Sequence, residues 1–176
     1  LEDFPNQQDT LRYVLTANMP ENKDNNFTWK DFQTKNNSEL VGILGNFINR
    51  VMVLSHKYYE GIVPAKTIEF EELTEIKYFA KRIGDHLEKY EFRAALTEYM
   101  NLARLGNQFL QAQEPWKKGD DPEAVKGIMY AATQIAAALG QLGEPFIPFA
   151  SEKMLAMMNV EKMSWDDLES TDEFVK

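Results

Sequence analysis

The sequence predicts an all-α fold, an antiparallel bundle of about five main helices. Three observations carry the prediction. Long segments repeat apolar residues at alternating steps of three and four, the spacing that gathers a seam on one side of a helix. No run alternates apolar and polar residues with the period of a half-buried strand. The segments between seams are of moderate length and rich in Pro, Gly, Asn and Asp, as expected between antiparallel neighbours. With 176 residues, 44% of them hydrophobic, the chain can fill one core, so a single domain is the default.

Asp9 is placed to cap a first short helix, TLRYVLTAN, which Pro20 stops. PENKDNN reads as a loop, and Thr28 with Asp31 three residues on resembles a capping box opening a helix that carries Trp29 and Phe32. That helix is expected to flow into residues 36–61, NNSELVGILGNFINRVMVLSHKYYEG, read as one long amphipathic helix. Its Leu40, Leu44, Phe47, Val51, Leu54 and Tyr58 form the principal seam, and Gly61 and Pro64 close it with a turn. A second core helix covers residues 71–90 through Leu73, Ile76, Ala80, Ile83 and Leu87. A third covers 91–113 through Phe92, Leu96, Tyr99, Ala103, Gly106 and Leu110, where Ala103 and Gly106 let a neighbour approach closely. Pro115 ends it by pushing Glu114 out of helical geometry. Asp121 and Pro122 start an apolar central helix through Val125, Ile128, Ala132, Ile135, Leu139 and Leu142, and GEPFIPF breaks it. A last helix is expected near residues 151–159, followed from Glu161 by an acidic tail with few anchors, read as partly disordered.

Composition narrows the function. A net charge of −9 excludes a generic affinity for phosphate, so DNA is not an expected partner and any nucleic-acid contact must be local, resting on stacking and base edges. No apolar run approaches membrane-spanning length, so no membrane partner is expected. Cysteine is absent, which excludes disulfides and thiolate zinc sites and points to a cytoplasmic home. Residues three before His56 and His86 are Val53 and Ile83, so the Glu-x-x-His pairs of a di-iron bundle are missing. Zinc-protease, phosphate-loop and Gly-x-Ser-x-Gly motifs are missing too, so no catalytic residue, metal or cofactor is assigned to this chain. A start without Met suggests a chain cut from something longer.

Two polar features stand out. Asn46 and Arg50 lie one turn apart on the flank of the seam, a planar amide beside a guanidinium that could read a base edge or grip a carboxylate. An ordinary polar shoulder is the commoner reading of such spacing. Trp116 stands just past the Pro115 break, beside Lys117 and Lys118, where an indole either plugs the end of the core or offers its face to a base.

The order of the pieces resembles the anticodon-binding helix bundle of class I methionyl-tRNA synthetases. The stretches that carry the resemblance are DTLRYVLTANMPENKDNNFTWKDF, NNSELVGILGNFINRV with KYYEGIVP, KYEFRAALTEYMNLARLGNQFLQAQEPW and PFIPFASEKM, which together span nearly the whole chain. The resemblance implies that Asn46, Arg50 and Trp116 recognise the CAU anticodon of methionine tRNA, with Pro115 fixing the indole and Asn49, His56 and Lys57 as weaker candidates. It implies that this chain is the non-catalytic part of a methionine-tRNA ligase, partnered by its own catalytic domain. ATP and methionine, with zinc a further candidate, would belong to that other part. The implied division is residues 1–27 as the end of a connecting region, 28–160 as the bundle and 161–176 as an acidic tail. EKMSW at 161–165 shares three letters with the family's Lys-Met-Ser-Lys-Ser loop and is read as chance. Two alternatives stay open: a protein-interaction bundle, suggested by the acidic surface, and the anticodon domain of another class I synthetase.

Overall fold

A computed structural model of the chain describes residues 6–21 and 24–175; part of the PENKDNN loop and both ends of the chain lie outside them. Every regular element among the described residues is helical: α1 (Gln8–Ala17), α2 (Trp29–Lys35), a π-helical segment (Asn36–Gly45), α3 (Asn46–Tyr59), α4 (Glu71–Glu88), α5 (Phe92–Gln113), a single 3-10 turn (Pro115–Lys117), α6 (Pro122–Leu142), α7 (Pro148–Met157) and α8 (Trp165–Ser170). The all-α bundle is therefore borne out.

The centre is α6, whose residues from Gly127 to Leu142 are all buried and which packs against α3, α4, α5 and α7. Its start is as the sequence predicts, with Asp121 Oδ1 accepting from Ala124 N at 3.0 Å and Pro122 in the first turn, where a missing N–H costs nothing. Across the core, Gly106 of α5 lies so close to α3 that a β-carbon there would stand 2.5 Å from the Phe47 ring. Small-residue packing thus brings the two helices of the candidate site together.

The predicted long helix is continuous from Trp29 to Tyr59 but not uniform. Thr28 caps it, accepting from Asp31 N at 3.1 Å. Its ten residues Asn36–Gly45 then wind as a π-helix, which the 3.6-residue seam did not foresee. The two glycines inside explain how the wider turn is tolerated. A β-carbon on Gly42 or Gly45 would stand only 3.1 Å from the carbonyl oxygen five residues back, Asn37 O and Leu40 O respectively. Without one, those carbonyls can close in.

Asp9 does not cap its own helix. It sits inside the first turn of α1 and reaches α7, accepting from Phe149 N at 3.3 Å and Ala150 N at 2.6 Å. It serves as a cap supplied from another element, because Ile147 precedes α7 and has no side chain able to do so. The last predicted helix also moves: Pro148 opens α7 instead of breaking the chain, since the first turn needs no donor from it. Asp9→Ala is expected to lower unfolding stability by about 1 kcal/mol, the usual value of a cap, in a urea titration followed by helical ellipticity.

The tail is built into the fold, contrary to the expectation of disorder. Residues Trp165–Ser170 form α8, and Leu168, Phe174 and Val175 are buried. Two buried amides of α6 hold it: Gln141, whose Nε2 donates to Glu161 O at 2.7 Å and whose Oε1 accepts from Met163 N at 3.0 Å, and Gln134, fully buried in the middle of the helix. Its Oε1 accepts from Phe174 N at 2.6 Å and Val175 N at 3.2 Å, and its Nε2 donates to Val175 O at 2.6 Å.

Candidate nucleic-acid interface

Asn46 and Arg50 occupy the first two turns of α3, beside the buried seam residues Phe47 and Val51. Their setting depends on Asn107 of α5. At the junction the backbone passes from five-back to four-back pairing, and the Asn46 N–H reaches Ile43 O only three residues back. Asn107 Nδ2 adds a second donor to Ile43 O at 2.9 Å and also donates to Ala103 O at 3.0 Å. With both protons engaged, the Asn107 amide must turn its oxygen towards α3, where it accepts from Asn46 Nδ2 at 3.0 Å. Asn46 is exposed and is thereby held with its own carbonyl oxygen and one N–H free of that bond.

Trp116 reaches the same place from the other side. Glu114 adopts the left-handed conformation, φ 43°, and ends α5. Buried Pro115 opens the 3-10 turn, and the Lys117 Nζ to Glu114 Oε1 ion pair at 2.8 Å spans it. The indole that follows is 37% exposed, and the Arg50 guanidinium carbon lies 5.2 Å from its ring centroid. At such a partly exposed site the cation–π attraction is worth about 0.5 to 1 kcal/mol, enough to bias the guanidinium towards the indole before a ligand arrives.

Arg50 forms the ridge between two depressions. One, of about 620 Å³, lies between the π segment and α5 and is lined by Asn46, Arg50, Arg104, Asn107, Gln108 and Gln111 among others. The other, of about 310 Å³, is lined by Asn49, Arg50, Val53, Leu54 and Trp116. The structure therefore gathers Asn46, Asn49, Arg50 and Trp116, with buried Pro115 immediately before the indole in the chain. His56 and Lys57 line neither depression. Both are exposed near the end of α3, the His56 ring close against Gly61 and Lys57 Nζ 5.0 Å from the Tyr58 ring centroid. Sequence reading missed Arg104, Asn107, Gln108 and Gln111, although their helical spacing along α5 makes one polar stripe.

A larger depression, about 1130 Å³, lies between the π segment, α3 and α7 and is lined mainly by apolar side chains such as Leu40, Met52 and Met154. Volume alone would favour it as a ligand site. It shares Asn46 and Asn49 with the candidate site, but the Arg50 guanidinium and the Trp116 indole line only the two smaller depressions. No cluster of three or more His, Asp or Glu able to hold a metal occurs among the described residues, and no helix among them is long and apolar enough to cross a membrane.

Comparison with known proteins gives this geometry a family. Residues 64–175 match the family model described as the anticodon binding domain of methionyl tRNA ligase, and residues 2–52 match that of class I tRNA synthetases (M). A methionine-tRNA ligase of Flavobacterium psychrophilum is 56% identical over 181 aligned residues, covering 99% of this chain and 26% of that protein. One from Christiangramia forsetii is 57% identical over 164, covering 90% and 24%. The chain thus spans about a quarter of the length of the curated relatives it matches. The fold recurs in the apo methionyl-tRNA synthetase of Mycobacterium tuberculosis, with a TM-score of 0.75 at 21% identity, over 84% of this chain and 32% of that one. The same enzyme in complex with methionyl-adenylate gives 0.76 over 84% and 31%. The chain belongs to the family of methionyl-tRNA ligase anticodon-binding domains.

Proposed function

We propose that this chain reads the CAU anticodon of methionine tRNA, with Trp116 stacking on an unstacked base and Asn46 and Arg50 meeting base edges. The observation that carries the reading is the convergence at Arg50, whose guanidinium lies on the Trp116 indole one turn from an amide oriented by Asn107. A net charge of −9 leaves such a local constellation as the means of holding RNA. Residues 28–160 would carry this recognition and 1–27 the end of a region connecting it to a catalytic part. That part, which has ATP and methionine as substrates and zinc as a candidate ligand, would attach methionine to the tRNA through methionyl-adenylate in the cytoplasm.

The test is binding of labelled anticodon stem-loops, CAU against a single-base change at its first position. A clear preference for CAU is expected, and equal affinity for the two loops overturns the reading. Asn107→Leu, which frees the Asn46 amide to rotate, is expected to reduce discrimination by about tenfold, equivalent to roughly 1 to 2 kcal/mol of base-edge hydrogen bonding. The helical circular dichroism should persist in that variant.

A further inference from the structure

The groove between the π segment and α5 holds chemistry that the three-residue reading leaves unused. Arg104 lines it together with Arg50, so two guanidiniums face one concavity in a strongly acidic chain. Arg104 Nη1 donates to Asn101 Oδ1 at 2.9 Å, a neutral acceptor on its own helix. No carboxylate pairs with it within 4 Å among the described residues, as is true of Arg50 as well, and the Arg104 charge acts on Tyr13, whose hydroxyl donates to the Glu39 carboxylate. A guanidinium held by a neutral acceptor and free of a direct ion pair suits an anionic oxygen. The amides of Gln108 and Gln111 stand one and two turns further along the same wall, and Gly42 on the opposite wall adds no side chain.

We propose that this groove is a second nucleotide subsite, where Arg104 takes the phosphate beside the base stacked on Trp116 and Gln108 and Gln111 meet the adjoining nucleotide. The proposal rests on the anticodon reading, because Arg50 borders both depressions and a strand lying on Trp116 must continue over one side of that ridge. A phosphate contact adds affinity without base selectivity. Its signature is the salt dependence, about 0.7 in the slope of log affinity against log salt per phosphate neutralised on a single strand.

The experiment measures binding of the CAU stem-loop and its single-base variant to the unaltered chain, Arg104→Gln and Arg104→Lys over a salt series. In Arg104→Gln the slope should fall by about 0.7 and both loops should weaken in equal proportion, leaving their ratio unchanged. Arg104→Lys, which keeps the charge, should restore most of the slope. An unchanged slope in Arg104→Gln overturns the subsite. Weakening without a slope change, not rescued by Lys, also overturns it and marks Arg104 as structural. If the unaltered chain binds both loops equally, the anticodon reading fails, while the slope comparison still decides the phosphate contact. Absent binding at every salt concentration overturns both.

Discussion

Trp116→Ala is expected to weaken binding of the CAU stem-loop by about five- to 150-fold, the range set by roughly 1 to 3 kcal/mol for stacking one base on an aromatic ring. Two contributions combine. The indole supplies the stacking face, and it also positions Arg50, whose guanidinium lies 5.2 Å from the ring centroid. Removing the ring therefore releases the cation as well, and selectivity should fall further than with loss of a stacking surface alone. Folding should change little, because the indole is 37% exposed and follows a turn already fixed by buried Pro115 and the left-handed Glu114. Fluorescence anisotropy of a labelled loop measures the effect. Arg50→Gln provides the second arm: it keeps the indole and should retain part of the affinity while losing selectivity. A Trp116→Ala chain that still prefers CAU as strongly as the original would remove the indole from the site.

Much of this was legible in the residues because the helices obey simple spacing. The seams through Ile128, Ile135 and Leu139 or through Leu96, Tyr99 and Ala103 appear where the three-four repeat puts them, and all six side chains are buried. Asn46, Arg50 and Trp116 could be nominated from resemblance, but only the fold shows that α3 and the Pro115 turn bring them together. What escaped the sequence was set by tertiary partners. Asp9 has the chemistry of a cap and its position suggested the nearest helix, while the acceptor was taken by α7, remote along the chain. The π segment escaped because an apolar pattern over ten residues scarcely separates 3.6 from the wider turn; Gly42 and Gly45 were the local hint. Asn107 drew no notice in the sequence, and its role emerges only opposite the junction at Ile43.

Gln134→Leu is expected to be the most destabilising single change, costing on the order of 3 to 5 kcal/mol. The substitution conserves volume but strands three buried backbone groups, the N–H of Phe174 and of Val175 and the carbonyl of Val175, each worth about 1 to 3 kcal/mol when unsatisfied. A fully buried amide within the apolar run of α6 is hard to explain as packing, since burying it is unfavourable without partners. Its partners are the end of the chain. Tyr130 Oη to Glu173 at 2.9 Å and Lys77 Nζ to Asp172 at 2.8 Å hold the same segment from outside, but both are more accessible to water and contribute less. The loss can appear in two ways. If the tail and core unfold together, the urea midpoint of helical ellipticity falls by the full amount. If the tail detaches first, the fluorescence of Trp165, packed over Gly84 on α4, changes at a lower urea concentration than the ellipticity. Coincident transitions with an unchanged midpoint would show that water or a rearranged tail satisfies those groups, and that Gln134 is not what binds the C-terminal segment to the central helix.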